Sequence, residues 1–116
     1  MNSEMKRIIE FASSLGIVEL PSPSFSMVAN GTYYGLPGLV DTAWIIRLHG
    51  KEMVIVKSVY ITDEYDVMTS QAVDYTTLNY KYHLKSLVRK IREKELLAKK
   101  LKEMARIAKM EKDFND

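Results

Sequence analysis

The chain has 116 residues, 47% of them hydrophobic and 28% charged, a composition typical of one globular domain. It contains no cysteine, which excludes disulfides, thiolate metal sites and cysteine nucleophiles. The net charge of +2 hides a division. Five Lys and Arg against nine Asp and Glu give the first 75 residues −4, and the remainder carries +6. This asymmetry predicts a partner for the basic part or copies packed head against tail, unless the lysines only keep a long helix hydrated.

The charge pattern also bears on targeting and membranes. Glu4, Lys6 and Arg7 interrupt the start of the chain before an apolar segment of signal-peptide length can form. No apolar run approaches the roughly 20 residues that cross a bilayer. We therefore expect a soluble, cytoplasmic protein that does not contact a membrane.

The chain begins with the pattern of an amphipathic helix. Asn2 or Ser3 can cap it, because either side chain can accept a hydrogen bond from a free backbone donor. Apolar residues then recur at helical spacing, and these are Met5, Ile8, Ile9, Ala12 and Leu15. Gly16 follows as a left-handed stop. We expect this helix to cover one face of a sheet.

Strand patterns follow the helix. Residues 17–20 could form a short strand. In the next stretch Phe25, Met27 and Ala29 alternate with Ser24, Ser26 and Val28 at the strand period. Asn30-Gly31 is a strong hairpin signal, because both residues tolerate the positive φ of a type I′ turn. Residues 32–34 would then form the returning strand.

The clearest strands are residues 43–48 and 52–61, with residues 49–51 as a tight turn between them. The second strand is apolar on both sides, so it should be covered on both sides, by helices or by a helix and a second subunit. Residues 62–75 are polar and acidic, and this composition predicts a loop.

A long helix is expected from Thr76 or Thr77, either of which can cap it, to about Lys112, because no glycine or proline interrupts the stretch. Its length of roughly 54 Å would exceed the roughly 35 Å diameter of a compact chain of this size. The helix should therefore protrude, or break near residues 93–95.

The order of these elements predicts an α+β fold with an N-terminal helix, a small antiparallel sheet of four or five strands and a long C-terminal helix. Residues 1–75 would be the α+β core. Residues 76–116 would be the basic helix, either within the same domain or as a protruding arm.

The long helix carries an apolar row with the alternating three- and four-residue steps of a left-handed coiled coil. The row, interrupted only by Lys94, consists of Leu84, Leu87, Ile91, Ala98, Leu101, Ala105 and Ala108. We predict self-association through these residues into a dimer or higher oligomer. The alternative is an ordinary amphipathic helix whose first half seals the sheet and whose second half is hydrated.

Two further sets of residues are candidate binding groups. The opposite face of the helix is basic and could follow a phosphate backbone; its members are Lys81, Lys85, Arg89, Arg92, Lys99 and Arg106. Five tyrosines, a residue type enriched at binding hot spots, cluster along the chain near the acidic loop and the helix start; they are Tyr60, Tyr65, Tyr75, Tyr80 and Tyr82.

Asp41, the hairpin that follows it and Lys57 form a layout that resembles the PD-(D/E)xK nuclease core. The resemblance implies a metal-dependent phosphodiesterase site, with Glu10 of the first helix as the upstream acid. The chain departs from the motif, because Ile55 stands at the acid position two residues before Lys57 and Val40 stands before Asp41. The position of one metal-ligating carboxylate is therefore lost, and the resemblance implies at most a degenerate nuclease fold.

No other catalytic or metal site is expected. Residues 63–66 are an acidic cluster without the glycine and spaced oxygen ligands of a calcium loop. His49 and His83 lack a nucleophile partner. We predict no catalytic residue, metal or cofactor. The predicted function is that of a small oligomeric accessory protein, adaptor or inhibitor, of a kind common among viral and mobile-element proteins. Its partners would be its own copies and an unidentified protein, with nucleic acid as the alternative.

Overall fold

The computed structural model describes residues 1–21, 31–38 and 43–115. The elements in chain order are α1 (Ser3–Ser14), β1 (Val18–Glu19), β2 (Thr32–Gly35), β3 (Ile46–His49), β4 (Glu52–Ile61), β5 (Val67–Asp74), a short 3-10 helix (Tyr75–Thr77) and α2 (Tyr80–Asn115). The predicted α+β fold, with a helix at each end and an antiparallel sheet between them, is confirmed.

Helix α1 begins and ends as its sequence predicts. The Asn2 side chain caps it by accepting a hydrogen bond from the Met5 backbone N–H at 2.8 Å. Gly16 lies just beyond the helix with φ at 89°, a conformation that other residues adopt only with strain. Met5, Ile8 and Ala12 of the apolar row are buried.

The five strands form one antiparallel sheet in the order β1-β2-β3-β4-β5. The turn between β3 and β4 is one residue shorter than predicted, because His49 pairs with Glu52 in the ladder. Gly50 and Lys51 are left to make the turn, and Gly50 has φ at 60°. Positive φ at the first turn residue is typical of two-residue hairpins.

The prediction of a loop across residues 62–75 is wrong for its second half, which forms strand β5. Ile61 pairs with Val67, so only residues 62–66 make the turn, with Tyr65 at φ 64°. The strand was hidden because only Val67 and Thr69 are buried, and most of its other residues are polar or small.

Other predicted boundaries shift by a few residues. The strand expected at residues 17–20 is the two-residue β1, and the strand expected at 43–48 begins only at Ile46. The long helix begins at Tyr80, because Thr76 and Thr77 belong to the 3-10 helix instead. The hairpin predicted from residues 25–29 through Asn30 lies outside the described residues. Strand β2 pairs with β1 on one side and β3 on the other.

The main core lies between the two helices and the sheet. Helix α2 packs across β4 and β5, and α1 packs against α2. Ile8 of α1, Ile55 of β4 and Leu84 of α2 are fully buried in one cluster. A hydrogen bond of 2.7 Å joins the His83 Nε2 atom to the Val56 carbonyl oxygen, so this histidine attaches α2 to strand β4.

An aromatic cluster occupies the side of the sheet that Val54 faces. The register places Tyr33, Arg47 and Val54 in one row across three strands. The Tyr33 and Trp44 rings meet edge to face with centroids 5.4 Å apart, and the Arg47 guanidinium lies 5.8 Å from the Trp44 ring centre. Arg47 also forms an ion pair of 3.0 Å with Glu52.

Candidate interaction surfaces

Helix α2 runs without interruption from the sheet into solvent. Its 36 residues correspond to about 54 Å, and the molecule measures 62 × 29 × 20 Å. Ala98 is buried against the body, and the Lys102 Nζ atom bonds the Asp66 carboxylate of the β4–β5 turn at 3.0 Å. Beyond this bond lie residues 103–115, which we call the arm. Residues 103–114 are all exposed.

The predicted coiled-coil row divides between the body and the arm. Its first four members are buried within one chain; they are Leu84, Leu87, Ile91 and Ala98. Leu101 is half-buried, and Ala105 and Ala108 are exposed on the arm. The apolar surface of the buried four is already used by the core, so a second copy could reach it only by displacing the sheet.

A second apolar row lies on the side of α2 that faces away from the sheet. We call it the outer apolar row, and it consists of Leu96, Met104, Ile107, Met110 and Phe114. At about 100° per residue, these side chains fall within about a third of the helix circumference, roughly opposite the buried row. Met104 is 59% exposed and Phe114 is 85% exposed. Large apolar side chains grouped in this way are typical of an interaction site.

Ion pairs within the helix accompany the outer apolar row. Glu103 and Arg106 are joined by a close salt bridge, and Glu95 lies 3.9 Å from Lys99. The hydrogen bond and the positive charge of Arg106 lower the pKa of Glu103. Both pairs are exposed to water, so each contributes little to stability. The charges of both Lys99 and Arg106 are therefore partly neutralised.

The first third of α2 forms a basic surface. Between Tyr80 and Arg92 there is no acidic residue, and all five cations are exposed; they are Lys81, Lys85, Arg89, Lys90 and Arg92. The Tyr82 ring, 75% exposed, belongs to the same stretch. Lys85 also lies 5.8 Å from the Phe11 ring centre, so part of its charge is directed at α1.

The five predicted tyrosines occupy different environments. Tyr75 and Tyr80 pack against the core, and the Tyr80 ring meets Phe11 edge to face at 5.9 Å. Tyr65 belongs to the β4–β5 turn, and the Tyr60 hydroxyl lies 4.0 Å from the Met68 sulfur. Two of the five thus help to seal the junction of α1, the sheet and α2, which is a structural role.

A groove of about 480 Å³ runs between β4 and α2. Its charged lining consists of Lys57 from the strand and of Lys90, Glu93 and Lys94 from the helix. Lys94 is the residue that interrupts the predicted coiled-coil row, and here it is half-buried at the groove wall. Three ammonium groups and one carboxylate give the groove a positive charge.

The described residues of the nuclease-like motif occupy different environments. Glu10 is exposed on α1, Ile55 is fully buried in the core and Lys57 lines the groove. Asp41 lies outside the described residues. Across residues 1–21, 31–38 and 43–115, no three His, Cys, Asp or Glu side chains come together in a way that could hold a metal ion.

Comparison with known proteins gives no relative for this chain: no family model, no curated protein and no solved structure matches it. Within the part of the chain that the structure describes, no helix combines the length and apolar character needed to cross a membrane.

Two features of these surfaces were not predicted from the sequence. The outer apolar row was missed although Met104, Ile107, Met110 and Phe114 follow at steps of three or four residues. The groove was missed because Lys57 and Lys94 are 37 positions apart in the chain. The available signal was Lys94 itself, a charged residue in an apolar row.

Proposed function

We propose that the protein is a non-catalytic accessory protein that self-associates through the outer apolar row and presents its remaining surface to a partner. The observation that supports this most directly is the arm. It stays helical beyond the body and exposes Met104, Ile107, Met110 and Phe114 on one side.

A second copy of the chain is the occupant that fits this row best. Steps of three and four residues match the spacing at which two helices of equal pitch interlock. The arm also carries both signs of charge, with Glu103 and Glu111 among its lysines, so antiparallel neighbours can pair opposite charges.

The energetics predict an association that depends on concentration. Burial of a large apolar side chain contributes about 1.5–3 kcal/mol, and at least about half of that remains for the side chains of the arm, which are 44–85% exposed. Four such residues on each of two arms would then give roughly 6–12 kcal/mol. Lost translational and rotational freedom costs roughly 4–15 kcal/mol, so the net affinity should be modest.

The test is the oligomeric state of the Ile107→Lys variant. Ile107 is 44% exposed and lies beyond the body, so the substitution should leave the fold intact. A charge in the outer apolar row should weaken association at least about tenfold, because the lysine would be desolvated without a partner. Sedimentation velocity over a wide range of protein concentrations measures this change.

The matched control is Ser13→Lys, which adds the same charge at an exposed position of α1. It should associate like the unmodified chain. An unmodified chain that stays monomeric at high concentration would contradict the proposal. Equal association of the Ile107→Lys and Ser13→Lys variants would contradict it too.

A second candidate function, nucleic-acid binding, is favoured by the basic surface at the start of α2. Five exposed cations without an intervening acid can neutralise phosphates and release their counterions. The exposed Tyr82 ring adds a surface on which an unpaired base can stack. We infer that single-stranded nucleic acid would be the preferred form.

This second candidate is tested with the double variant Lys81→Glu/Arg89→Glu. Affinity for a labelled single-stranded oligonucleotide, measured by fluorescence anisotropy, should fall at least about tenfold, and the salt dependence should become shallower. The control Lys99→Glu/Lys109→Glu makes the same change of charge further along α2. Equal losses in both variants would reduce the effect to net charge and remove the candidate.

A further inference from the structure

Lysine interrupts two separate apolar patterns at the place where β4 and α2 meet. On β4, Lys57 stands between Ile55 and Val59, both of which pack into the core. On α2, Lys94 stands between the buried residues Ile91 and Ala98. Both lysine side chains line the same groove. In both elements, a lysine that lines the groove therefore stands where the surrounding pattern has apolar side chains.

The described part of the chain neutralises the charge of this groove only in part. Lys90 joins Lys57 and Lys94 in the lining, and Glu93 is the acidic residue beside them. None of the three lysines forms an ion pair with another residue in the described part of the chain. All three lysines line one groove, and ammonium groups repel one another when little screening separates them, so an anion between them would be favourable.

We propose that this groove binds the phosphate group of a small phosphate ester. A phosphate monoester carries a charge of about −1.5 to −2 and three strong acceptor oxygens, which suits three ammonium donors beside one carboxylate. Lysine is a common phosphate ligand that acts as a point charge and needs no fixed fork geometry. A carboxylate ligand would leave a larger part of the positive charge uncompensated.

The size and the remaining lining of the groove favour an ester over the free anion. A volume of about 480 Å³ is within the range of small-molecule sites and exceeds the needs of one phosphate. Val59 and Leu97 give the groove an apolar wall for the organic part of the ligand. A neighbouring hollow of about 240 Å³ shares Lys57 and Lys90 and extends the site towards His83.

The test uses phenyl phosphate and inorganic phosphate as probes, titrated at constant ionic strength and followed by the amide shifts of the ¹⁵N-labelled chain. We expect saturable shifts centred on Lys57, Lys90 and Lys94, with tighter binding of phenyl phosphate. Lys94→Met should weaken phenyl phosphate at least about tenfold, because it removes one charge-assisted hydrogen bond. This variant also restores the apolar row of α2, so its fold should be retained.

Lys57→Gln provides a second variant with the same expected loss, and Lys6→Met on α1 is the control for the removal of one charge. Equal affinity for the two probes, with the same losses in the variants, would assign the site to free phosphate. Unchanged affinity in both groove variants overturns the proposal, and so do shifts spread evenly over the basic start of α2.

This inference does not depend on self-association. The charged residues of the groove precede the arm, so the Ile107→Lys variant should bind phenyl phosphate with unchanged affinity. If the chain is monomeric but still binds phenyl phosphate, the proposed self-association fails and the groove site stands. If it associates but does not bind phenyl phosphate, the reverse holds.

Discussion

Asp74 shows how one side chain sets the junction between the sheet and α2. It ends β5, and its carboxylate accepts hydrogen bonds from the backbone N–H of Thr76, at 2.8 Å, and from the Thr76 hydroxyl. The Thr77 hydroxyl bonds the Asp74 carbonyl oxygen at 2.8 Å. The bonds from Thr76 stabilise the ionised carboxylate and lower the pKa of Asp74 below its usual value. The turn that redirects the chain from β5 towards α2 thus has its own cap.

The lowered pKa gives a prediction with a definite sign. Because the pKa of Asp74 is lower in the folded than in the unfolded chain, its contribution is present above the ordinary aspartate pKa and is lost as the pH falls through the folded-state pKa. Asp74→Ala should therefore lower the thermal midpoint at pH 7 and have a smaller effect near pH 2, as measured by circular dichroism. Asp63→Ala, in the β4–β5 turn, is the control. A deficit equally large at both pH values would show that the carboxylate charge is irrelevant.

Lys94 stands out in the sequence, but only the structure shows where its side chain lies. The sequence marks it as the one exception in the apolar row that predicts a coiled coil. The structure places it on the wall of the groove with Lys57, which belongs to another element. Spacing along one helix could not reveal that neighbour, because it depends on how α2 lies across β4.

Helix α2 combines two segments with opposite exposure. Up to Ala98 it contributes buried side chains to the core, whereas the arm contributes none. The chemical character of the exposed side of α2 also changes along the helix. It is basic at the start, where Lys81 and Arg89 lie, and apolar towards the end at Phe114. An isolated helix of the arm's length would be marginal in water, so its helical state draws on continuity with the packed half and, we propose, on contacts with other copies.

This division predicts different costs for the same substitution on one helix. Leu87, which is 2% exposed, packs in the core, and Leu87→Ala should lower the free energy of unfolding by about 2–5 kcal/mol. Leu96→Ala, at a residue that is 69% exposed, should change it by less than about 0.5 kcal/mol. Urea denaturation at low protein concentration, where association is minimal, measures both. Similar costs would contradict the packing of α2 against the sheet.

Strand β5 is the element that the sequence pattern failed to predict, whereas its neighbour β4 was predicted. Strand β4 was predicted with its observed bounds, because an apolar run with a turn before it has few alternatives. In β5, Val67 and Thr69 face the core, but Gln71 adopts φ at 62° and the strand ends in the capping Asp74. Its identity as a strand comes from pairing with β4, a long-range contact that a local pattern does not contain.

At the scale of the whole molecule, the charge division places an acidic body beside a basic helix. One ion pair joins them within the chain, between Lys102 and Asp66, whereas the charge asymmetry predicts a separate partner or contacts between copies. This ion pair is partly exposed and so contributes modestly to stability. The charge that remains on α2 is concentrated at its start and in the groove. Both proposals for anionic ligands, nucleic acid and a phosphate ester, concern these regions.

Local sequence patterns were enough to predict the two helices, the strands β2 and β4 and a C-terminal helix longer than the body it packs against. These features depend on local periodicity, on capping residues such as Asn2 and on stops such as Gly16. Packing against the sheet buries one apolar row of α2 and leaves the outer apolar row exposed. The same packing brings Lys57 and Lys94 to one groove. Burial and the distance between charges depend on neighbours in three dimensions. Helix α2 has apolar side chains on two faces, and only the contact with the sheet determines which face is buried.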